Sequence, residues 1–185
     1  MIGLILIFMT NSYSYKRVHP DEAKEFFDLR MVALKTDPDA FVATMEEEQK
    51  LTKEDIQYYL KKNYVLGAYA STNELIGVLV FMEQERQKFS HIGILGGMYV
   101  HKNSRRYGIA RELIQRMIVY LREHHKNLYG LQLKVVTTNI PAIRLYESFG
   151  FHFMVHVIRL LSLLWKAFYS SLYMLFDWDA FSYVT

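Results

Sequence analysis

Residues 100–114 read V-H-K-N-S-R-R-Y-G-I-A-R-E-L-I, between the apolar run H-I-G-I-L-G-G-M-Y-V at 91–100 and a periodic stretch that follows. Ile109, Leu113, Ile114, Met117, Ile118 and Leu121 recur at intervals of three and four, the spacing of a helix that buries one face. The quoted stretch is therefore a strand-to-helix turn. The first backbone N–H groups of a helix lack intrahelical acceptors, and the macrodipole makes that end positive. Gly108 lets a ligand approach the backbone because it has no Cβ, and Ala110 is nearly as small. Arg105, Arg106 and Arg111 add full positive charge. Together these features describe a cradle for an anion such as pyrophosphate. A tight turn with solvated arginines is the plainer reading, and the stretch by itself leaves both open. It has neither the G-x-G-x-x-G of a dinucleotide fold nor the G-K-[ST] that ends a P-loop.

The whole chain narrows the choice. Its 185 residues suffice for one domain with a sizeable core, and 51% hydrophobic against 22% charged residues describes a globular chain rather than a disordered one. A net charge of +3 is too small to argue for a nucleic-acid partner. The chain has no cysteine, which excludes disulfides, thiolate nucleophiles and Cys-ligated metals and fits a reducing cytoplasm. The opening M-I-G-L-I-L-I-F-M-T is apolar but too short to span a bilayer, and no basic residue precedes it as a signal peptide requires. Residues 1–12 are read as an apolar N-terminal extension, with Met9 an alternative start, and 13–185 as a single domain.

Upstream of the turn, Y-S-Y-K-R-V (13–18) reads as a short strand. Pro20 and Asp21 open a helix carrying Ala23, Phe26, Phe27, Met31 and Leu34, which T-D-P-D-A-F (36–41) breaks. Thr52 and Asp55 have the spacing of a capping box for a second helix to about Lys62. N-Y-V-L-G-A-Y-A and L-I-G-V-L-V-F-M-E-Q-E are strands joined by the polar turn S-T-N-E. Gly93, Gly96 and Gly97, costly inside the next strand, predict a bulge or a close backbone approach. L-Q-L-K-V-V alternates as a strand, after which Asn139 caps a helix with Ala142, Leu145, Tyr146 and Phe149 on one face and Gly150 as its stop. The tail V-I-R-L-L-S-L-L-W-K-A-F-Y-S-S-L-Y-M-L-F fits either a buried or membrane-facing helix or two strands turning near Lys166. Periodicity does not separate the two.

A strand ending G-M-Y-V, then R-x-x-G-x-A as Arg105, Gly108 and Ala110, then an amphipathic helix, resembles motif A of the GNAT superfamily of acyl-CoA-dependent N-acetyltransferases. N-I-P-A-I-R-L-Y-E-S-F-G-F at 139–151 resembles motif B, in the family's order and with one strand between the two. The resemblance implies an α+β fold, with a central mixed, mostly antiparallel sheet of about six to seven strands and about four helices in the order β-α-α-β-β-β-α-β-α-β-β. It also implies direct acetyl transfer from acetyl-CoA to a primary amine, with no metal. The coenzyme pyrophosphate is then expected on the turn Arg105, Arg106, Tyr107, Gly108, Ile109, Ala110 and Arg111. Its pantetheine arm and acetyl carbonyl are expected on Met98, Tyr99 and Val100. Asn139 would contact the arm, and Tyr146 would lie near the sulfur as the general acid. This chemistry needs a neutral amine, donors for the carbonyl oxygen and a proton for the leaving thiolate, and no nucleophilic side chain.

For the base or acceptor site, the acidic run Glu46, Glu47 and Glu48 is the candidate, with Glu47 at its centre; a solvated acidic face is the plain alternative. His91 is a second candidate base. His152 and His156 could share a metal, but no third ligand is apparent. His124 and His125 end the long helix, where positive charge suits the dipole. The tail departs from the family, lacking a turn glycine and placing Ser170 and Ser171 before the last apolar run. The expected acceptor is a small-molecule amine; a protein or peptide N-terminus or lysine is one alternative, and a non-catalytic acyl-CoA-binding module another. No nucleic acid and no membrane are expected as partners, and the chain is expected to act in the cytoplasm as a monomer or homodimer. A membrane-associated protein using both apolar ends is the remaining reading.

Overall fold

A computed structural model of the chain describes residues 12–154 and 171–178. These residues form a seven-stranded mixed sheet flanked by helices. In chain order the elements are β1 (Ser14–Arg17), α1 (Ala23–Thr36), α2 (Met45–Glu48), α3 (Lys53–Lys62), β2 (Tyr64–Tyr69), β3 (Leu75–Met82), β4 (Ile92–Val100), α4 (Ile109–His124), β5 (Gly130–Val136), α5 (Ile140–Glu147), β6 (His152–Phe153) and β7 (Ser171–Asp177). Across the sheet they run β1-β2-β3-β4-β5-β7-β6. Every neighbouring pair is antiparallel except β4 and β5, which run parallel and are joined through α4.

Both faces of the sheet are covered, which explains why β2 and β3 read as nearly continuous apolar runs rather than alternating ones. Leu66, Ala68, Ile76, Leu79 and Phe81 belong to the core under α4 and α5. Val65, Tyr69, Leu75, Val78 and Val80 belong to the core under α1 and α3. All six residues of the α4 stripe are buried. Along α1 the buried residues are Ala23, Phe26, Leu29, Ala33 and Leu34, so the stripe is rotated toward Leu29 and Ala33 and away from Phe27 and Met31.

Local chemistry sets the ends of these helices. The Thr52 hydroxyl accepts the Asp55 N–H at 3.2 Å and the Asp55 carboxylate accepts the Thr52 N–H at 2.8 Å, the expected capping box at the start of α3. A second capping box was not anticipated: Thr44 and Glu47 exchange the same pair of bonds and fold the acidic run into α2. In the tail, Ser171–Asp177 pairs antiparallel with β5 over its whole length, which decides between the two readings there in favour of a strand. Met174 and Phe176 point into the core and Tyr173 outward, the alternation of a half-covered strand. The expected turn near Lys166, the residues Ser170 and His156, and most of the 1–12 extension including Met9 lie outside the described residues.

The parallel pair positions the site. β4 pairs with β5 only from Ile92 to Leu95, opposite Gly130 to Leu133. Beyond that point, among the described residues, β4 continues to Val100 on β3 and β5 continues to Val136 on β7. The strands part because β4 bulges: Val80 faces Gly96 but Val78 faces Tyr99, leaving an extra residue on β4. Gly97 makes this possible, with φ +57° and a position where an added Cβ would lie 2.9 Å from Val80 Cγ2. The helices that follow, α4 after β4 and α5 after β5, both begin at this opened end. A crevice at the carboxyl ends of parallel strands is where open α/β sheets bind ligands.

Candidate active site

The turn from β4 into α4 is held in an uncommon conformation. Arg106 has φ +69° and Gly108 has φ +79°, two left-handed residues with one between. For Arg106 that conformation costs on the order of 1–2 kcal/mol and must be enforced by its surroundings. Ser104 N–H donates to His101 O at 2.8 Å, and Glu112 N–H, the first intrahelical donor, reaches Gly108 O at 3.0 Å. Between them, the backbone N–H groups of Arg106 to Arg111 find no acceptor among the described residues. Among the described residues nothing lies within 4 Å of where a Cβ on Gly108 would stand, so the backbone can be approached there. Unpaired donors at a helix N-terminus, with an open approach at Gly108, fit a pyrophosphate.

The arginines do not act as a set. Arg105 turns inward: its Nε donates to Val100 O at 2.9 Å, and its Nη1 and Nη2 donate to the two carboxylate oxygens of Asp37 at 3.4 and 2.7 Å. Its guanidinium also lies 5.5 Å from the centre of the Tyr99 ring. Arg111 reaches across to the end of α5, donating to Ser148 Oγ at 3.1 Å and stacking over Phe149. Arg106 is exposed and makes no ion pair among the described residues. Tyr107, 59% exposed, leans toward Tyr13. Ile109 is buried under the turn and Ala110 half-buried.

Met98 lies in the bulged stretch, and Tyr99 and Val100 follow it. Met98 packs on the α4 side of the sheet, whereas Tyr99 is buried on the α1 side with its hydroxyl 3.1 Å from Thr36 Oγ1. The β5-facing edge of this segment has no strand partner among the described residues, because the strands part. Across the opening, Asn139 Oδ1 accepts the Ala142 N–H at 3.2 Å and caps α5, and its carboxamide NH2 has no partner among the described residues. Tyr146 sits on the buried face of α5 with Phe151 edge-on at 5.8 Å. Burial pushes its pKa up to about 12, and its hydroxyl has no hydrogen-bond partner among the described residues.

The candidate bases fare differently. Glu47 is exposed and its carboxylate is occupied by the Thr44 N–H, which holds it below the usual carboxylate range. Glu48 pairs with Arg30 at 2.9 Å, and Arg30 in turn stacks over Phe41, which lies against Tyr99. The acidic run is thus joined through Arg30 and Phe41 to the α1 side of the site. His91 precedes β4, roughly 25–30 Å along the strand from Val100, and is far from the opened end. His125 pairs with Glu83, and His124 stacks on Tyr120. His152 is exposed, and among the described residues no group of three or more His, Asp or Glu side chains is arranged to hold a metal.

Sequence reasoning missed Thr36 and Asp37, which it took only as a helix breaker. Asp37 and Arg105 are 68 residues apart in the chain, and no local pattern links them.

The sequence model of the acetyltransferase (GNAT) family matches residues 18–151, from the residue after β1 to the residue before β6. The chain belongs to that family. It is therefore an acyltransferase, and both motif A and motif B fall within the matched span. A GNAT-family acetyltransferase from Streptococcus pneumoniae superposes with a TM-score of 0.70 at 21% identity, over 89% of this chain and 97% of that one. YncA of Salmonella typhimurium, a putative acetyltransferase solved with its cofactor acetyl-CoA, gives 0.69 at 16% identity, over 90% and 94%. A ribosomal-protein-alanine N-acetyltransferase from Brucella melitensis gives 0.69 at 19% identity, over 89% and 99%. At these identities the likeness establishes the GNAT fold. No curated protein sequence matches the chain. No helix among the described residues is long and apolar enough to cross a membrane.

Proposed function

We propose that this GNAT enzyme transfers the acetyl group of acetyl-CoA directly to a primary amine of a small molecule, with residues 13–185 acting as one catalytic domain in the cytoplasm. The observation that carries the reading is the row of unpaired N–H groups from Arg106 to Arg111, set at the opened end of the parallel strands. Those groups, with Arg106 beside them, would receive the pyrophosphate. Met98 to Val100 would bond the pantetheine arm through their β5-facing strand edge, and the carboxamide NH2 of Asn139 would meet it from the other side.

In the reaction, the neutral amine nitrogen attacks the thioester carbonyl, the C–N bond forms and the C–S bond breaks. The strand N–H groups freed by the bulge stabilise the charge that develops on the carbonyl oxygen. Tyr146 gives its proton to the departing thiolate and regains one from solvent before the next turnover; burial keeps the phenol protonated between turnovers. The amine's own proton leaves toward the acidic run on the α1 side. Glu47, weakened as a base by its capping bonds, contributes there chiefly as negative charge that attracts a cationic amine.

Thiol release from acetyl-CoA, followed against a panel of small amines and of peptides with free N-termini, tests this reading. Release that depends on small amines supports it. Release with peptides alone would move the acceptor to proteins, and tight acetyl-CoA binding with no amine-dependent release would make the chain a binding module.

A further inference from the structure

The turn that offers its N–H groups is built from two left-handed residues, and something must impose that shape. The residue that enters it, Arg105, is held at three points: the Val100 carbonyl at 2.9 Å, both oxygens of Asp37 at 3.4 and 2.7 Å, and the face of Tyr99. Asp37 is itself fixed. Its N–H donates to Ala33 O at 2.9 Å and caps α1, and the Thr36 hydroxyl lies 2.8 Å from its Oδ2 and 3.1 Å from the Tyr99 hydroxyl. The result is a closed network that ties the C-terminus of α1 to the end of β4 and to the start of the turn.

We propose that Asp37 is a positioning residue for the pyrophosphate cradle, acting through Arg105. The guanidinium fork meets the carboxylate with two N–H groups, a geometry that fixes direction as well as distance. Locking Arg105 sets where the chain enters the left-handed Arg106, and from there the aim of the N–H groups up to Arg111. The pair is too exposed to be a main source of stability, with side-chain exposures of 41% for Arg105 and 34% for Asp37. What it supplies is direction, and donors that are already aimed bind an anion without an ordering cost. Neither side chain needs to touch the coenzyme for this to hold.

The inference rests on the acetyl-CoA reading above, and the test separates the two. Backbone amides would be followed by NMR while CoA, and separately pantetheine, is titrated into wild type, Asp37→Asn and Arg105→Lys. Pantetheine has the same arm but no pyrophosphate. Both variants are expected to keep the wild-type melting temperature within a few degrees, to bind CoA roughly tenfold more weakly, and to bind pantetheine as wild type does. CoA affinity unchanged in both variants would overturn the inference while leaving the acetyl-CoA reading intact. Equal losses for CoA and pantetheine would also overturn it, since they would mark general loosening rather than a misdirected cradle. A wild type that binds no CoA would bring down the acetyl-CoA reading and this inference with it.

Discussion

A phenol placed among Ile143, Phe149 and Phe151 keeps its proton, because the anion would have to shed water and find no donor in return. Tyr146 therefore stays neutral well into alkaline pH, with a pKa of about 12. As the acid, it should give a kcat profile with no descending limb of its own at moderately alkaline pH. Tyr146→Phe keeps the ring packing and removes the proton. It should lower kcat by roughly a hundredfold, within the usual range for a general acid, with little change in acetyl-CoA affinity. Steady-state kinetics and calorimetry on the same preparation would check both. Full kcat in the variant would remove the acid role. Asp37 is the opposite case, a carboxyl held below its ordinary range chiefly by the hydrogen bond from Arg105. Since folding depresses its pKa, its contribution to stability is present above the ordinary carboxylate value and is lost as pH falls through the depressed one. The small gap in melting temperature between wild type and Asp37→Asn should close as the solution is acidified.

At the level of elements, the bulge in β4 and the packing of α4 carry the most weight. Gly97→Val would put a β-branched residue at φ +57° with its Cβ 2.9 Å from Val80 Cγ2. Left-handed backbone alone costs about 1–2 kcal/mol, so the variant should be destabilised by at least that in urea denaturation and should bind acetyl-CoA poorly. Leu113→Ala, in the wholly buried stripe of α4, should cost about 2–5 kcal/mol by the same measurement. These elements were legible in the sequence because each is local. The α4 stripe, the Thr52–Asp55 box and the cluster of glycines all state their chemistry within a few residues. The α2 capping box was equally local but hidden inside an acidic run. β7 was obscured because apolar runs without Gly or Pro suit helix and strand alike; only pairing along β5 decides it. Asp37 could not be found at all, since its meaning lies in a partner on another element.

At the scale of the molecule, the sheet is the device that makes the site. The core under α4 and α5 includes Leu95 of β4 with Leu131 and Leu133 of β5, where the two strands run side by side over four residues, and the bulge then lets them diverge where two helices begin. Binding of a polyanion at this end is electrostatic in large part, so acetyl-CoA affinity should fall as salt rises, more steeply than that of uncharged pantetheine. Parallel titrations at low and high ionic strength would show it. The proposed enzyme stands or falls on whether the turn at Arg106 to Arg111 receives the coenzyme's pyrophosphate. Calorimetric titration of acetyl-CoA into wild type and Gly108→Asp tests it, because the substitution puts a side chain and a negative charge on the turn at a position that is open in the wild type. Wild type should bind clearly, and a variant that remains folded should not. Wild-type affinity in the folded variant would contradict that role for the turn.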